Sequence, residues 1–234
     1  MGPDRVKLGL VVLISGTQSP PTLRPVAAGK FITFEGPEGG GKTVLARRLA
    51  EELQRRGRVV RTLREPGGTR VGERLRAILL EKAGPDALVI DPRADALLFS
   101  AGRAQLAAEV IRPALERGEI VICARHADST LAYQGYGMGL PLDELRSIQA
   151  FATGGLVPDL TILLDVSPEI GIGRKNDEGR NRFESTFDLA FHERVRAGYL
   201  AMAAAEPRRY RVVDSSRRLQ EVAPEVIAAG LSIL

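Results

Sequence analysis

From Lys30 onward, short apolar β-rich runs alternate with longer stretches in which apolar residues recur every three or four positions. The first pattern predicts strands and the second amphipathic helices. Phe31–Glu35 is the first strand expected, and Leu45, Leu49 and Leu53 set helical spacing over Lys42–Arg56, which Gly57 ends. Val59–Leu63 predicts a strand, Val71–Glu81 a helix, and Arg93–Glu116 a long helix with Pro113 near its end. Glu119–Cys123, Leu160–Asp165 and Tyr210–Val213 predict three more strands, separated by helices over Leu142–Ala152 and Phe187–Ala205 and followed by one over Leu219–Leu231. Such alternation belongs to a parallel sheet covered by helices. There is no internal repeat and no second linker, so residues 30–234 are expected to form one α/β domain.

Residues 1–29 stand apart: Leu8–Ile14 is a seven-residue apolar run, followed by a Ser-, Pro- and Thr-rich stretch. That run sits at the short limit for a secretory core. We read the segment as a loosely attached extension. A misplaced start near Val26 is one hypothesis, which a mass spectrum of native protein carrying residues 1–25 would sink.

Composition narrows the classes. Apolar residues make up 44% and charged residues 26%, the balance of a globular protein. The single cysteine, Cys123, excludes a disulfide scaffold, and with only His126 and His192 beside it a zinc site of His and Cys is not expected. No window reaches the roughly 18 apolar residues of a spanning helix, so no membrane partner is expected. The net charge is only +4, and the cations are 28 Arg against five Lys. Arginine presents a rigid fork that pairs with phosphate oxygens, although a GC-rich genome or a hot habitat gives the same bias. No run of consecutive basic residues points to nucleic acid.

One motif carries chemistry directly. Gly36-Pro37-Glu38-Gly39-Gly40-Gly41-Lys42-Thr43 fits G-x-x-x-x-G-K-[ST], and it follows an expected strand and opens an expected helix. Glycines let successive N–H groups turn toward phosphate oxygens, and the helix N-terminus adds its positive end. Lys42 is then placed to meet the β and γ phosphates, and the Thr43 hydroxyl to ligate Mg²⁺. The expectation is a P-loop NTPase fold that binds ATP.

From Lys30 to the C-terminus the chain resembles the bacterial-type thymidylate kinases, a nucleoside monophosphate kinase family. The landmarks fall in order: FITFEGPEGGGKT, REPGGT at Arg64–Thr69, LLFSAGRAQ at Leu97–Gln105, DSTLAYQG at Asp128–Gly135, PDLTILLDV at Pro158–Val166, and an Arg-rich segment ending in RFE at Arg182–Glu184. The resemblance implies a five-stranded parallel sheet flanked by helices, transfer of phosphate from ATP to dTMP in the cytoplasm, and a homodimer formed through helices. It implies that Arg64 grips the acceptor phosphate and that Glu38 contacts the sugar 3′-hydroxyl. It further implies that Phe99 stacks on thymine while Arg103, four residues on and on the same helical face, bonds its edge. Ser100, Ser129, Tyr133 and Gln134 complete that pocket, with Tyr133 filling the space of a ribose 2′-hydroxyl. Arg125 is implied to bind both the acceptor phosphate and the moving group. A lid around residues 174–185 carries Arg174 toward ATP, with Lys175, and supplies Arg180 and Arg182 as catalytic cations, because the P-loop has no arginine of its own.

The chain departs from that pattern near the phosphates. It reads Ala124-Arg125-His126 where Asp-Arg-Tyr or Asp-Arg-Phe is usual, Met138 where Arg is usual, Asn181 where Asp is usual, and Val44-Leu45 in place of Thr-Gln. The usual Asp supports Mg²⁺, but Mg²⁺ needs few protein ligands, so Thr43 and the ATP phosphates suffice to hold it. Two explanations compete: a divergent kinase of reduced turnover, and a nucleotide-binding homologue that no longer transfers phosphate. The restoring change Ala124→Asp separates them. His126 is expected to fill an aromatic position, and Cys123 to be a buried strand residue.

Overall fold

A computed structural model describes residues 29–81, 88–174 and 182–234, less the side chains of Arg182 and Glu184. The extension read over residues 1–29, apart from Gly29, lies outside the described residues, and so do Lys175, Arg180 and Asn181 of the expected lid.

Five strands form one parallel sheet: β1 (Lys30–Glu35), β2 (Val60–Arg64), β3 (Ile120–Ala124), β4 (Leu160–Asp165) and β5 (Tyr210–Asp214), in the order β2-β3-β1-β4-β5. The three central strands are almost wholly buried and mostly apolar, β3 without a polar residue, whereas the edge strands β2 and β5 are half exposed. That is the pattern of a sheet covered on both faces. Side chains alternate across it. Ile32 and Phe34 pack with Leu45, Leu49 and Leu53 of α1 (Lys42–Arg55) and with Val222 and Val226 of α10 (Leu219–Leu231). On the other face Phe31 packs with Leu106 of α3 (Pro92–Leu106), and Leu163 with Phe191, Val195 and Tyr199 of α9 (Leu189–Ala205).

The crossover after β3 passes to the opposite side of β1. The carboxyl ends of β1 and its neighbours are therefore a topological switch point, where open α/β sheets leave a crevice. Register fixes what gathers there: Phe34 pairs with Ala124, and Ala124 with Arg64.

Helix caps sharpen the expected boundaries. Thr69 Oγ1 accepts from Gly72 N at 2.9 Å to start α2 (Arg70–Leu79), and Asp188 accepts from Phe191 N at 2.9 Å to start α9. The long helix expected over Arg93–Glu116 is broken in type. Beyond α3 it widens into a π turn at Ala107–Ile111 and resumes as α4 (Arg112–Glu116). Pro113 supplies the reason, because it has no N–H to give and its ring crowds the carbonyl four residues back.

Three helical pieces escape the periodicity. The DSTLAYQG segment folds as α5 (Ala127–Thr130) and a π stretch at Leu131–Gly137, and Ser129 to Gly135 are all buried, so no polar face marks it as a helix. The short α7 (Pro168–Gly173) and α8 (Arg182–Thr186) are too brief to carry a period. The expected helix over Leu142–Ala152 is α6 (Leu142–Thr153).

Candidate active site

The P-loop joins β1 to α1 and holds Gly36, Gly39 and Gly41 at positive φ. Gly39 is obligatory twice over: its φ is 70°, and a Cβ there falls 1.9 Å from the Gly171 carbonyl oxygen of α7. Lys42 folds back across the loop, its Nζ donating to Gly36 O at 2.9 Å and Pro37 O at 2.6 Å. Arg174 ties the loop to the turn after β5, donating to Gly39 O at 3.2 Å, Ser215 O at 2.8 Å and Ser216 O at 2.9 Å.

The loop separates two clefts. One, of about 420 Å³, lies between Gly40, Gly41, Val44, Arg174, Arg217 and Leu219. The other, of about 380 Å³, opens over the carboxyl ends of β2 and β3 and reaches from Lys42 and Thr43 to Phe99 and Gln134.

The second cleft has a cationic end and an aromatic end. At the cationic end Arg125 leaves β3 with φ 71°, a left-handed turn rare for a side-chain-bearing residue. The turn brings its Nη2 to 2.5 Å from Glu38 Oε1 and 3.1 Å from Tyr133 Oη, while Nη1 reaches Ser129 Oγ at 3.3 Å. Burial works against the Arg125 charge, but Glu38, the two tyrosines and Glu35 outweigh it and raise its pKa. Tyr133 Oη donates to Glu38 Oε1 at 3.0 Å, and burial pushes that phenol up so that the proton stays. Beneath lies Glu35, accepting from His126 N and Ser129 Oγ at 2.6 Å and from Tyr199 Oη at 3.0 Å. Burial and nearby Asp128 raise the Glu35 pKa.

Arg64 and Arg76 face the same end. Among the described residues Arg64 has only a loose ion pair, 3.7 Å, with Glu73. Arg76 Nη1 donates to Pro66 O at 2.8 Å. Burial and the like charge of Arg64 lower the Arg76 pKa, Glu73 opposes them, and Arg125 adds to the lowering. Arg76 escaped the sequence reading because α2 also carries Arg70 and Arg74, and nothing in the spacing singles out one of the three.

At the aromatic end Phe99, Tyr133 and Phe183 line the wall, with ring centroids 6.1 Å apart for Phe99–Phe183 and 5.4 Å for Tyr133–Phe183. Gln134 also lines it. Of the expected substrate residues, Glu38, Arg64, Phe99, Arg125, Ser129, Tyr133 and Gln134 thus share one cleft.

Ser100 and Arg103 lie behind that wall instead. The Arg103 guanidinium is 1% exposed and donates to Glu65 Oε2 at 2.8 Å, Thr130 Oγ1 at 3.0 Å, His126 O at 2.9 Å and Gln149 Oε1. Ser100 donates to Ala96 O at 2.6 Å and accepts from Gln149 Nε2 at 2.9 Å. The face argument from Phe99 to Arg103 missed Glu65, whose buried carboxylate draws Arg103 inward. Burial opposes ionisation of Glu65, yet Arg103 and His126 hold its carboxyl below the usual range.

The departures have plain locations. The Ala124 methyl lines the cleft beside Arg125, and Met138 packs against the α9 cluster. His126 donates or accepts at Nδ1 with Glu65 Oε1, 2.7 Å away, and meets Phe31 edge-on at 5.0 Å, with Nε2 unpartnered among the described residues. Cys123 is buried, which pushes its thiol up. Among the described residues no group of three or more His, Cys, Asp or Glu is placed to hold a metal.

The thymidylate kinase family model matches residues 34–226, which spans both clefts. The chain belongs to this family. It is 51% identical over 205 residues to the thymidylate kinase of Deinococcus radiodurans, covering 87% of this chain and 97% of that one. The thymidylate kinase of Roseiflexus castenholzii is 48% identical over 212 residues, 85% of this chain and 91% of its own. That of Bacillus pumilus is 44% identical over 202 residues, 86% and 94% respectively. Nothing in these likenesses to thymidylate kinases favours the silent-homologue alternative that Ala124, Met138 and Asn181 raised. Among the described residues no helix is long and apolar enough to cross a membrane.

Proposed function

We propose that this chain phosphorylates dTMP with ATP, giving dTDP and ADP. The observation that carries the reading is the two-ended cleft: three guanidinia, Arg64, Arg76 and Arg125, lie beside the P-loop, and an aromatic wall with one amide, Gln134, lies at the far end. A nucleoside monophosphate has the same polarity, phosphate at one end and a flat base at the other. The first cleft, across Gly40 and Gly41 and rimmed by Arg174 and Arg217, suits the donor nucleotide.

The P-loop fits a triphosphate on structural grounds, since Gly36, Gly39 and Gly41 at positive φ curl it onto the N-terminus of α1, whose positive end favours a phosphate. Lys42 turns from the loop carbonyls to the donor phosphates. Thr43 offers a hydroxyl at the cleft for Mg²⁺, which supplies charge neutralisation when bound and takes most of its oxygens from phosphate and water. No carboxylate is demanded for that, which accommodates Ala124.

In the reaction an acceptor phosphate oxygen forms a bond to the γ-phosphorus while the bond to the ADP oxygen breaks. The acceptor is already anionic, so no protein base is required. Arg125 spans both phosphates, held by Glu38 and Tyr133, and the protein acts by positioning and electrostatics. Arg180 and Arg182 of the lid are proposed to add charge to the spreading transition state.

We extend the reading to a homodimer in the cytoplasm, the compartment that supplies ATP. Leu97 of α3 and Phe151 of α6, on helices that pack together, stay 54% and 91% exposed, and a second copy is the partner that covers them.

The test is ADP release with ATP, Mg²⁺ and a panel of nucleoside monophosphates. Turnover with dTMP that is lost in Lys42→Ala is expected. Full activity in Lys42→Ala contradicts the role given to the P-loop.

A further inference from the structure

Gln134 lies in the π stretch at Leu131–Gly137 and lines the aromatic end of the acceptor cleft. Its Nε2 donates to Asp95 Oδ2 at 2.8 Å, and both residues are buried, at 1% and 0% exposure. An amide has a donor end and an acceptor end, and a carboxylate only accepts. Asp95 sits in the first turn of α3, at the positive end of the helix. The Gln134 amide is therefore locked with its NH₂ toward Asp95. Its Oε1 makes no hydrogen bond among the described residues and is left to the cleft that Gln134 lines.

We propose that Asp95 is a positioning residue that sets base selectivity by fixing which end of the Gln134 amide faces the acceptor. A cleft that presents a carbonyl oxygen pairs with a base whose ring nitrogen carries a proton, as N3 of thymine and uracil does. It repels cytosine, whose N3 is a bare lone pair. A flipped amide reverses that preference. Asp95 touches no substrate in this scheme; it acts through Gln134. The proposal rests on the acceptor-cleft reading above, and sequence reasoning gave Asp95 no role.

The experiment compares kcat/KM for dTMP and dCMP in wild type, Asp95→Ala and Asp95→Asn, together with the thermal midpoint of each. Removing the carboxylate frees the amide to turn, and the dTMP-to-dCMP ratio in Asp95→Ala falls about tenfold or more, the scale of one buried hydrogen bond set against one unpaired group. Asp95→Asn keeps the shape but offers Gln134 a donor as well as an acceptor, so its ratio falls too, whereas a merely structural loss lowers kcat/KM for dTMP and dCMP together. Should Asp95→Ala fail to fold, Asp95→Ser, whose hydroxyl suits either end of the amide, carries the same expectation. An unchanged ratio in Asp95→Ala, Asp95→Asn or Asp95→Ser overturns the proposal. If wild type does not turn over dTMP, the acceptor reading fails separately, and the ratio of dTMP to dCMP dissociation constants in the same variants still reads the orientation of the amide.

Discussion

Arg125 Nη2 and Glu38 Oε1 stand 2.5 Å apart, joining the end of β3 to the phosphate loop. The pair is largely shielded from solvent, with side-chain exposures of 17% and 11%, and Tyr133 Oη bonds both partners. An arginine at positive φ, clamped between loop and phenol, is fixed before any phosphate arrives. Preorganised charge of this kind needs no rearrangement as the transition state forms.

Arg125→Ala is accordingly expected to lower kcat by about 10²–10³-fold, the scale of losing one preorganised donor. Arg125→Lys restores the charge without the fork that meets Glu38 and Tyr133 together, so it recovers little. Steady-state kinetics with saturating ATP and dTMP reads both. A lysine variant at wild-type kcat contradicts the argument.

Arg76 is tethered to the Pro66 carbonyl by one nitrogen and faces two like charges, Arg64 and Arg125. Binding a phosphate anion relieves that crowding. Arg76→Met should raise KM for dTMP about tenfold, in line with a charge-assisted hydrogen bond, and leave KM for ATP unchanged. Equal changes in both, or neither, remove Arg76 from the acceptor site.

Glu65 makes a stability prediction. Burial opposes its charge, yet Arg103 and His126 hold its carboxyl below the ordinary glutamate range in the folded protein. A depressed acid stabilises the fold fully above its unfolded pKa, and that contribution is lost as pH falls through the lower folded value. Glu65→Gln leaves Arg103 buried without its counter-charge and is expected to destabilise by roughly 3–5 kcal/mol near neutral pH. Urea unfolding should show the gap between wild type and Glu65→Gln narrowing as pH drops below that of an ordinary carboxylate. A gap that stays constant down to acid pH contradicts the assignment.

Much of this was legible in the residues. The strands and most long helices followed from period and caps, because one-sided burial leaves a pattern in the sequence. The Leu131–Gly137 stretch did not, since a segment buried all round has no polar face to betray its period. The site was legible where a residue's role depends on backbone position, as with the P-loop and Arg125. It was less so where two side chains compete for a third. Arg103 was expected at the base edge and lies instead with Glu65, 38 positions away in the chain, and no local spacing carries that contact. Asp95 was hidden for a similar reason, since it matters through Gln134, 39 positions away.

The central claim is phosphoryl transfer to dTMP, and following the γ-phosphate tests it most directly. Purified protein is mixed with γ-labelled ATP, Mg²⁺ and dTMP, and the products are separated. The account predicts label appearing in dTDP in step with ADP, and none in dTDP with Lys42→Ala. Label that stays in ATP, or passes only to inorganic phosphate, while both nucleotides bind, would contradict it.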